Sequence, residues 1–150
     1  MAKSVYIHIP FCAGKCGYCD FYSLAGCDHM MPDYHRALLQ HIHESEDAIL
    51  KYDVDSVYFG GGTPSYYGAD RVADIFNMLK LNGNVMVNSE VTCEVNPDST
   101  DLEMLKLLRR EGVNRLSVGA QSSNDDLLKL IGRRHNFRQV QNTVRDARDA

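Results

Sequence analysis

Strand-like and helix-like patterns alternate along this chain. The first strand is Val5–Pro10, where Val5, Ile7 and Ile9 alternate with Tyr6 and His8. A helix is predicted from about Pro32 to Lys51, with Tyr34, Leu38, Ile42 and Ile49 on one side. Ser56–Phe59 is the second strand, and Val72, Ile75, Phe76 and Leu79 then recur at i, i+3, i+4 and i+7. Glu90–Asn96 is the third strand. Thr100 and Glu103 have capping-box spacing for a helix that stops at Gly112. Arg115–Gln121 is the fourth strand, and Ser123 can cap a short helix ending at Gly132. Repeated strand–helix units predict an α/β fold with a parallel sheet.

Buried parallel strands normally read as continuous apolar runs. The third and fourth strands break that rule. Val91, Cys93 and Val95 alternate with Glu90, Thr92, Glu94 and Asn96, and Leu116, Val118 and Ala120 alternate with Arg115, Ser117, Gly119 and Gln121. With helices over the apolar face, the polar face must line something wet or ligand-filled, as the inside of a barrel does. An open antiparallel sheet with one solvated face is the competing arrangement, and the intervening helices favour parallel pairing. The notable loops all follow strand C-termini, the active end of βα barrels.

The first of those loops carries the most pointed chemistry. Cys12, Cys16 and Cys19 are spaced C-x3-C-x2-C. Three thiolates can hold three irons of a cubane cluster and leave a fourth iron open to a small molecule. A structural zinc site completed by a distant residue is the alternative, although zinc usually takes two separated pairs of ligands. After the second strand, Gly60-Gly61-Gly62-Thr63-Pro64 lets backbone approach a ligand closely, or simply builds a tight turn. No Gly-Lys-Ser/Thr follows, so it is not a P-loop. Tyr18 can lay its ring against a purine or pack locally. Glu94 suits a ribose or an ammonium, or pairs with Arg115. Gly132-Arg133-Arg134-His135 can neutralise a carboxylate or form a solvated loop, and His135 is read as structural. His29, His35, His41 and His43 read as surface helix residues, Cys27 as an ordinary thiol and Cys93 as a small core hydrophobe.

Composition narrows the classes. The chain has 150 residues, the size of one domain, with 44% hydrophobic residues and a net charge of −4. That charge gives no general attraction to nucleic acid or anionic membrane. No apolar run spans a bilayer. The N-terminus runs straight into a strand and does not resemble a signal peptide, so five cysteines indicate a reducing, cytoplasmic setting. At the far end Asn136 and Gln139 have capping-box spacing, Val140, Val144 and Ala147 follow on one face, and Ala150 ends the chain with no stop signal. Residues 1–150 are therefore expected to be an incomplete domain, cut inside a helix.

With those residues in view, the chain resembles the radical S-adenosylmethionine (radical SAM) superfamily. The likeness rests on Cys12, Cys16, Cys19 and the Gly-Gly-Gly-Thr-Pro run. More narrowly, Tyr6-Ile7-His8-Ile9-Pro10-Phe11-Cys12, Tyr58 to Pro64, Glu94-Val95-Asn96-Pro97, Ser117 to Gln121 and Gly132 to His135 are similar to the oxygen-independent coproporphyrinogen III oxidase group. True oxidases of that group carry a further cysteine two residues past the third, where this chain has Phe21. Asp20-Phe21 is similar to the heme-chaperone branch, HemW.

The resemblance implies the N-terminal part of a partial TIM-type (β/α)6 barrel with about four βα units present. It also implies a [4Fe–4S] cluster on Cys12, Cys16 and Cys19, with S-adenosylmethionine on the open iron. Tyr6, Tyr18, Gly61, Gly62, Thr63, Glu94, Gln121 and Arg133 match the group's S-adenosylmethionine contacts. Tyr18 stands where the oxidases tend to have phenylalanine. Implied partners are a heme or porphyrin ligand bound partly by regions beyond Ala150, a heme-accepting apoprotein and an electron donor. Nucleic acid is not among them, and membrane contact comes only through a partner. The alternatives are an oxygen-independent coproporphyrinogen III oxidase, and a zinc-binding interaction module.

Overall fold

A computed structural model describes residues 3–150. Four strands form one sheet in the order β1 (Lys3–Ile9), β4 (Asp53–Gly61), β5 (Asn84–Val95) and β6 (Arg115–Val118), each parallel to its neighbour. The expected parallel α/β arrangement is thus present, and the antiparallel alternative is not. A two-residue parallel pair, β2 (Phe11–Cys12) with β3 (Leu24–Ala25), closes the cysteine loop on itself. The connections are helical: α1 (Met31–Glu44), α2 (Glu46–Ile49), α3 (Pro64–Tyr67), α4 (Ala69–Asn82), α5 (Leu102–Glu111) and α6 (Asp125–Leu130), followed by α7 (Phe137–Asp149). No helix among the described residues is long and apolar enough to cross a membrane.

The alternation in the strands explains the layering. Ile7, Ile9, Val57, Phe59, Val91, Cys93 and Val95 are buried in one cluster with Ile42, Val72, Ile75, Phe76, Leu79 and Leu108 from the helices. Phe59 is fully buried and meets Phe76 edge-on, with ring centroids 6.4 Å apart. Phe59→Ala should therefore cost about 3–5 kcal/mol. Denaturant unfolding of the variant checks this, and a loss below about 1 kcal/mol would contradict the packing. The opposite face carries Tyr6, Tyr58, Thr92 and Arg115 in one register row, with Glu94 opposite Ser117.

Several local expectations are corrected. The long first helix breaks at Ser45, whose carbonyl accepts from Ala48 and Ile49 and starts α2. Thr100 does not cap α5, because its hydroxyl donates back to the Asn96 carbonyl at 2.7 Å. Asp101 caps instead, accepting from Met104 N at 2.8 Å. Asn124 rather than Ser123 caps α6, while the Asn136–Gln139 capping box forms as expected. Strand β5 begins at Asn84, not Glu90, because Asn84 and Val85 already pair with Asp53 and Val54 before the β4–β5 register shifts between Val54 and Ser56. The buried Ser89 hydroxyl donates to Val54 O at 2.6 Å at that irregularity, so alternation is legible only after it.

Candidate functional site

The parallel strands end around a cavity of about 310 Å³. Its walls include Cys12, Cys16, Tyr18 and Cys19 from the first loop, Gly61, Gly62 and Thr63 from the end of β4, and Glu94, Gln121 and Arg133. These are the three cluster cysteines and all the expected S-adenosylmethionine contacts except Tyr6. Tyr6 lies beside the cavity: its hydroxyl is 3.1 Å from His8 Nδ1, and its ring stacks on Tyr58 at 6.1 Å. Tyr58 in turn donates to Glu94 Oε1 at 2.7 Å. Desolvation, then the Glu94 carboxylate, raises the Tyr58 pKa and keeps this phenol a donor.

The cysteine loop is held from three sides. Lys15 Nζ donates to Phe21 O at 2.6 Å and to Ser23 Oγ at 3.2 Å, folding the loop back on itself. His8 Nε2 lies 3.1 Å from Tyr22 O, tying the loop to β1. Gly17 N donates to Ile131 O at 3.2 Å, docking the segment after α6 against it. Gly61, at φ 111°, sits where a Cβ would be 2.7 Å from His8 Nδ1, so only glycine fits beside that imidazole.

Glu94 and Arg133 bring opposite charges to the cavity wall. Glu94 does not pair with Arg115. Arg115 instead reaches Glu90 at 3.6 Å and Thr92 Oγ1 at 3.2 Å, leaving Glu94 with the Tyr58 phenol. Arg133 is not a solvated loop residue. Its Nη1 faces Cys16 Sγ at 3.8 Å and Tyr18 Oη at 3.5 Å, and its Nη2 donates to Asn96 Oδ1 at 2.7 Å and Gly119 O at 2.8 Å. Its Nε is buried without a partner, and its Nη1 brings the guanidinium's positive charge to the Cys16 thiol. Gln121 has φ 62°, an uncommon conformation for a non-glycine residue, here at the cavity wall.

These features fit the expected cofactors. A group of thiols beside a partly unsatisfied guanidinium suits an anionic, thiolate-ligated cluster. Among the described residues no three His, Cys, Asp or Glu side chains gather to hold a single metal ion. A cubane cluster takes one thiolate at each of three irons, so its ligands need not meet at one point. The other two cysteines sit apart from the cavity wall. Cys93 is fully buried, and desolvation pushes its thiol up to about 12. Cys27 Sγ contacts Ala25 O at 3.6 Å.

Sequence reasoning undervalued three residues. Asn96 bonds both Thr63 and Arg133, and its signal was the Asn-Pro step at a strand end. Lys15 lies inside the cysteine motif itself. His35 is not a simple surface histidine: it is largely buried, with Nδ1 3.0 Å from the hydroxyl of the buried Tyr67. His135 packs as expected, buried with Nε2 3.2 Å from Ala120 O, and burial lowers its pKa.

The family model described as the radical SAM superfamily matches residues 6–150. The heme chaperone HemW of Buchnera aphidicola subsp. Schizaphis graminum is 36% identical over 138 residues, covering 91% of this chain and 37% of the relative. HemW of Haemophilus influenzae is 38% identical over 146 residues, covering 94% and 38%. The solved structure of the coproporphyrinogen III oxidase HemN from Escherichia coli, a radical SAM enzyme, superimposes with a TM-score of 0.90 at 31% identity, over 97% of this chain and 34% of that one. The chain belongs to the radical SAM superfamily. Within it, the chain is similar to the HemW heme chaperones and to HemN, as the motifs led us to expect, and it spans well under half the length of those relatives.

Proposed function

We propose that this chain is the radical SAM core of a heme-trafficking protein. Cys12, Cys16 and Cys19 would hold a [4Fe–4S] cluster. Gly61, Gly62, Thr63, Glu94, Gln121 and Arg133 would bind S-adenosylmethionine, with Tyr18 and, beside the cavity, Tyr6. When bound, the cluster supplies low-potential single electrons and an open iron for the cofactor's amino and carboxylate groups. The chain's own part is to ligate, orient and shield. The glycine run brings backbone to the ligand, Glu94 offers a carboxylate to a hydroxyl or ammonium, and Arg133 brings a positive charge to the wall.

The observation that carries the reading is the gathering of the three thiols, the glycine run, Glu94 and Arg133 on one cavity at the C-terminal ends of parallel strands. Phe21, exposed and on the same wall, favours the chaperone over the oxidase, whose motif, as the resemblance implies, carries a cysteine in that place. A heme or porphyrin, an apoprotein that accepts heme and an electron donor are the partners this function requires. The second reading, a coproporphyrinogen III oxidase, draws on the close superposition with HemN.

Two assays divide them. The anaerobically reconstituted protein should bind heme and pass it to an apo-acceptor, without converting coproporphyrinogen III when S-adenosylmethionine and reductant are present. Catalytic accumulation of protoporphyrinogen would overturn the chaperone assignment. Glu94→Gln should weaken S-adenosylmethionine binding by about ten- to a hundredfold, the worth of one charge-assisted hydrogen bond of roughly 1.5–3 kcal/mol. Its iron content should stay at the wild-type level, because Glu94 is not proposed as a ligand. Unchanged affinity by calorimetry would remove Glu94 from the site.

A further inference from the structure

Two of the three loop thiols are joined by a continuous relay of polar groups. At one end Arg133 Nη1 faces Cys16 Sγ at 3.8 Å. Arg133 Nη2 donates to Asn96 Oδ1 at 2.7 Å. Asn96 Nδ2 donates to Thr63 Oγ1 at 3.2 Å. At the other end the Thr63 hydroxyl donates to Cys12 Sγ at 3.5 Å.

The direction of the relay is fixed by chemistry. A guanidinium only donates, so the amide of Asn96 must turn its oxygen to Arg133 and its NH2 to Thr63. Thr63 Oγ1 then accepts from Asn96, and its one proton points at Cys12. From the guanidinium, one bond runs to Cys16 and three run in series through Asn96 and Thr63 to Cys12, the arrangement in which each bond of the series polarises the next.

The surroundings are built to keep Asn96 at the centre. Its backbone N–H donates to Ser65 Oγ at 3.0 Å, and its carbonyl accepts from Thr100 Oγ1 at 2.7 Å and from Ser99 N at 3.0 Å. The buried Pro97 follows it. A Cβ on Gly119 would lie 2.6 Å from Asn96 Oδ1 and 3.0 Å from Arg133 Nη2, so the absent side chain leaves room for this pair. At the Cys16 end the backbone bond from Gly17 N to Ile131 O holds the Arg133 segment against the cysteine loop.

We infer that Asn96 is a positioning residue for the cluster. Through Arg133 and Thr63 it fixes two ligand sulfurs across the cavity and delivers one hydrogen bond to each, with a cationic donor at the Cys16 end. Hydrogen bonds to ligand sulfurs stabilise the more negative, reduced cluster and raise its potential. The relay therefore makes the cluster easier to reduce. The inference rests on the proposed reading of Cys12 and Cys16 as ligands.

The test is an EPR-monitored redox titration of the anaerobically reconstituted protein, with iron content measured on the same samples. Asn96→Ala should load iron to the wild-type level, with a midpoint shifted to more negative potential. A tenfold change in the reduced-to-oxidised ratio, about 59 mV for one electron, is the expected size. Thr63→Val keeps the shape, removes the hydroxyl and should shift the midpoint the same way. The double variant should shift it by less than the sum, because both act in one relay. A wild-type midpoint in Asn96→Ala would overturn the inference and leave the cluster reading standing. Should Asn96→Ala take up no iron, Thr63→Val decides, and a wild-type midpoint there overturns the relay. Failure of the wild-type protein itself to take up iron would instead overturn the cluster reading beneath it.

Discussion

Cys16→Ser should reduce reconstituted iron from about four per chain to background, and Cys12→Ser and Cys19→Ser should do the same. The thiolate is the ligand form of cysteine, and a serine hydroxyl is far harder to ionise and a poor partner for iron. No other cysteine is placed to substitute. Cys93 points into the core, its thiol pushed up to about 12 by desolvation, and Cys27 does not line the cavity. Cys27→Ser should therefore keep the wild-type iron content. Iron and sulfide assays, with the visible spectrum of the cluster, check all four variants. A serine variant at Cys12, Cys16 or Cys19 that still holds four irons would remove that residue from the ligand set.

Gly62→Ala should be nearly as damaging, for a steric reason. A Cβ at Gly62 would lie 2.6 Å from Phe11 O and 2.9 Å from Ile9 O. Both are backbone atoms that cannot swing aside. They are also the acceptors for this turn, since Gly62 N donates to Ile9 O at 2.7 Å and Thr63 N donates to Phe11 O at 2.8 Å. Those two bonds fasten the start of the cysteine loop to the glycine run. Forcing a methyl between them should cost about 1–3 kcal/mol, the usual penalty of overpacking, and displace Cys12 from Thr63. We expect a lowered melting temperature together with sharply reduced iron loading. Gly14→Ala in the same loop is the control, because a Cβ there meets nothing within 4 Å. Equal behaviour of the two variants would contradict the close approach at Gly62.

The parts of this protein that were legible in its sequence are those written in local pattern. Alternation in Val91–Asn96 and Leu116–Gln121 marked a sheet with one polar face, and strand-to-helix periodicity marked its parallel order. The three cysteines, the glycine run, Glu94, Gln121 and Arg133 were legible because each stands at a strand end or in a distinctive motif, and the fold brings them to one cavity. The features that escaped depend on contacts between distant segments. The early start of β5 was hidden by a register irregularity filled by Ser89. Thr100 and Ser123 are good capping residues by type, and the neighbours Asp101 and Asn124 won those positions. At Thr100 the hydroxyl was already committed to Asn96 O. Asn96 was legible as part of the Glu94-Val95-Asn96-Pro97 motif at a strand end, but its contacts were not. Its partners Thr63 and Arg133 lie 33 and 37 positions away, a relation that no local pattern carries. His35 was misread because helical position alone does not reveal the buried Tyr67 hydroxyl against it.

In the proposed function, the cavity at the strand ends binds an iron–sulfur cluster and S-adenosylmethionine together. The most direct measurement is the EPR spectrum of the dithionite-reduced, reconstituted protein, recorded with and without S-adenosylmethionine. A reduced [4Fe–4S] signal is expected, with g-values that change when S-adenosylmethionine is added and a change that is weaker in Glu94→Gln. A colourless protein carrying one zinc per chain, or a cluster signal unaffected by saturating S-adenosylmethionine, would contradict it.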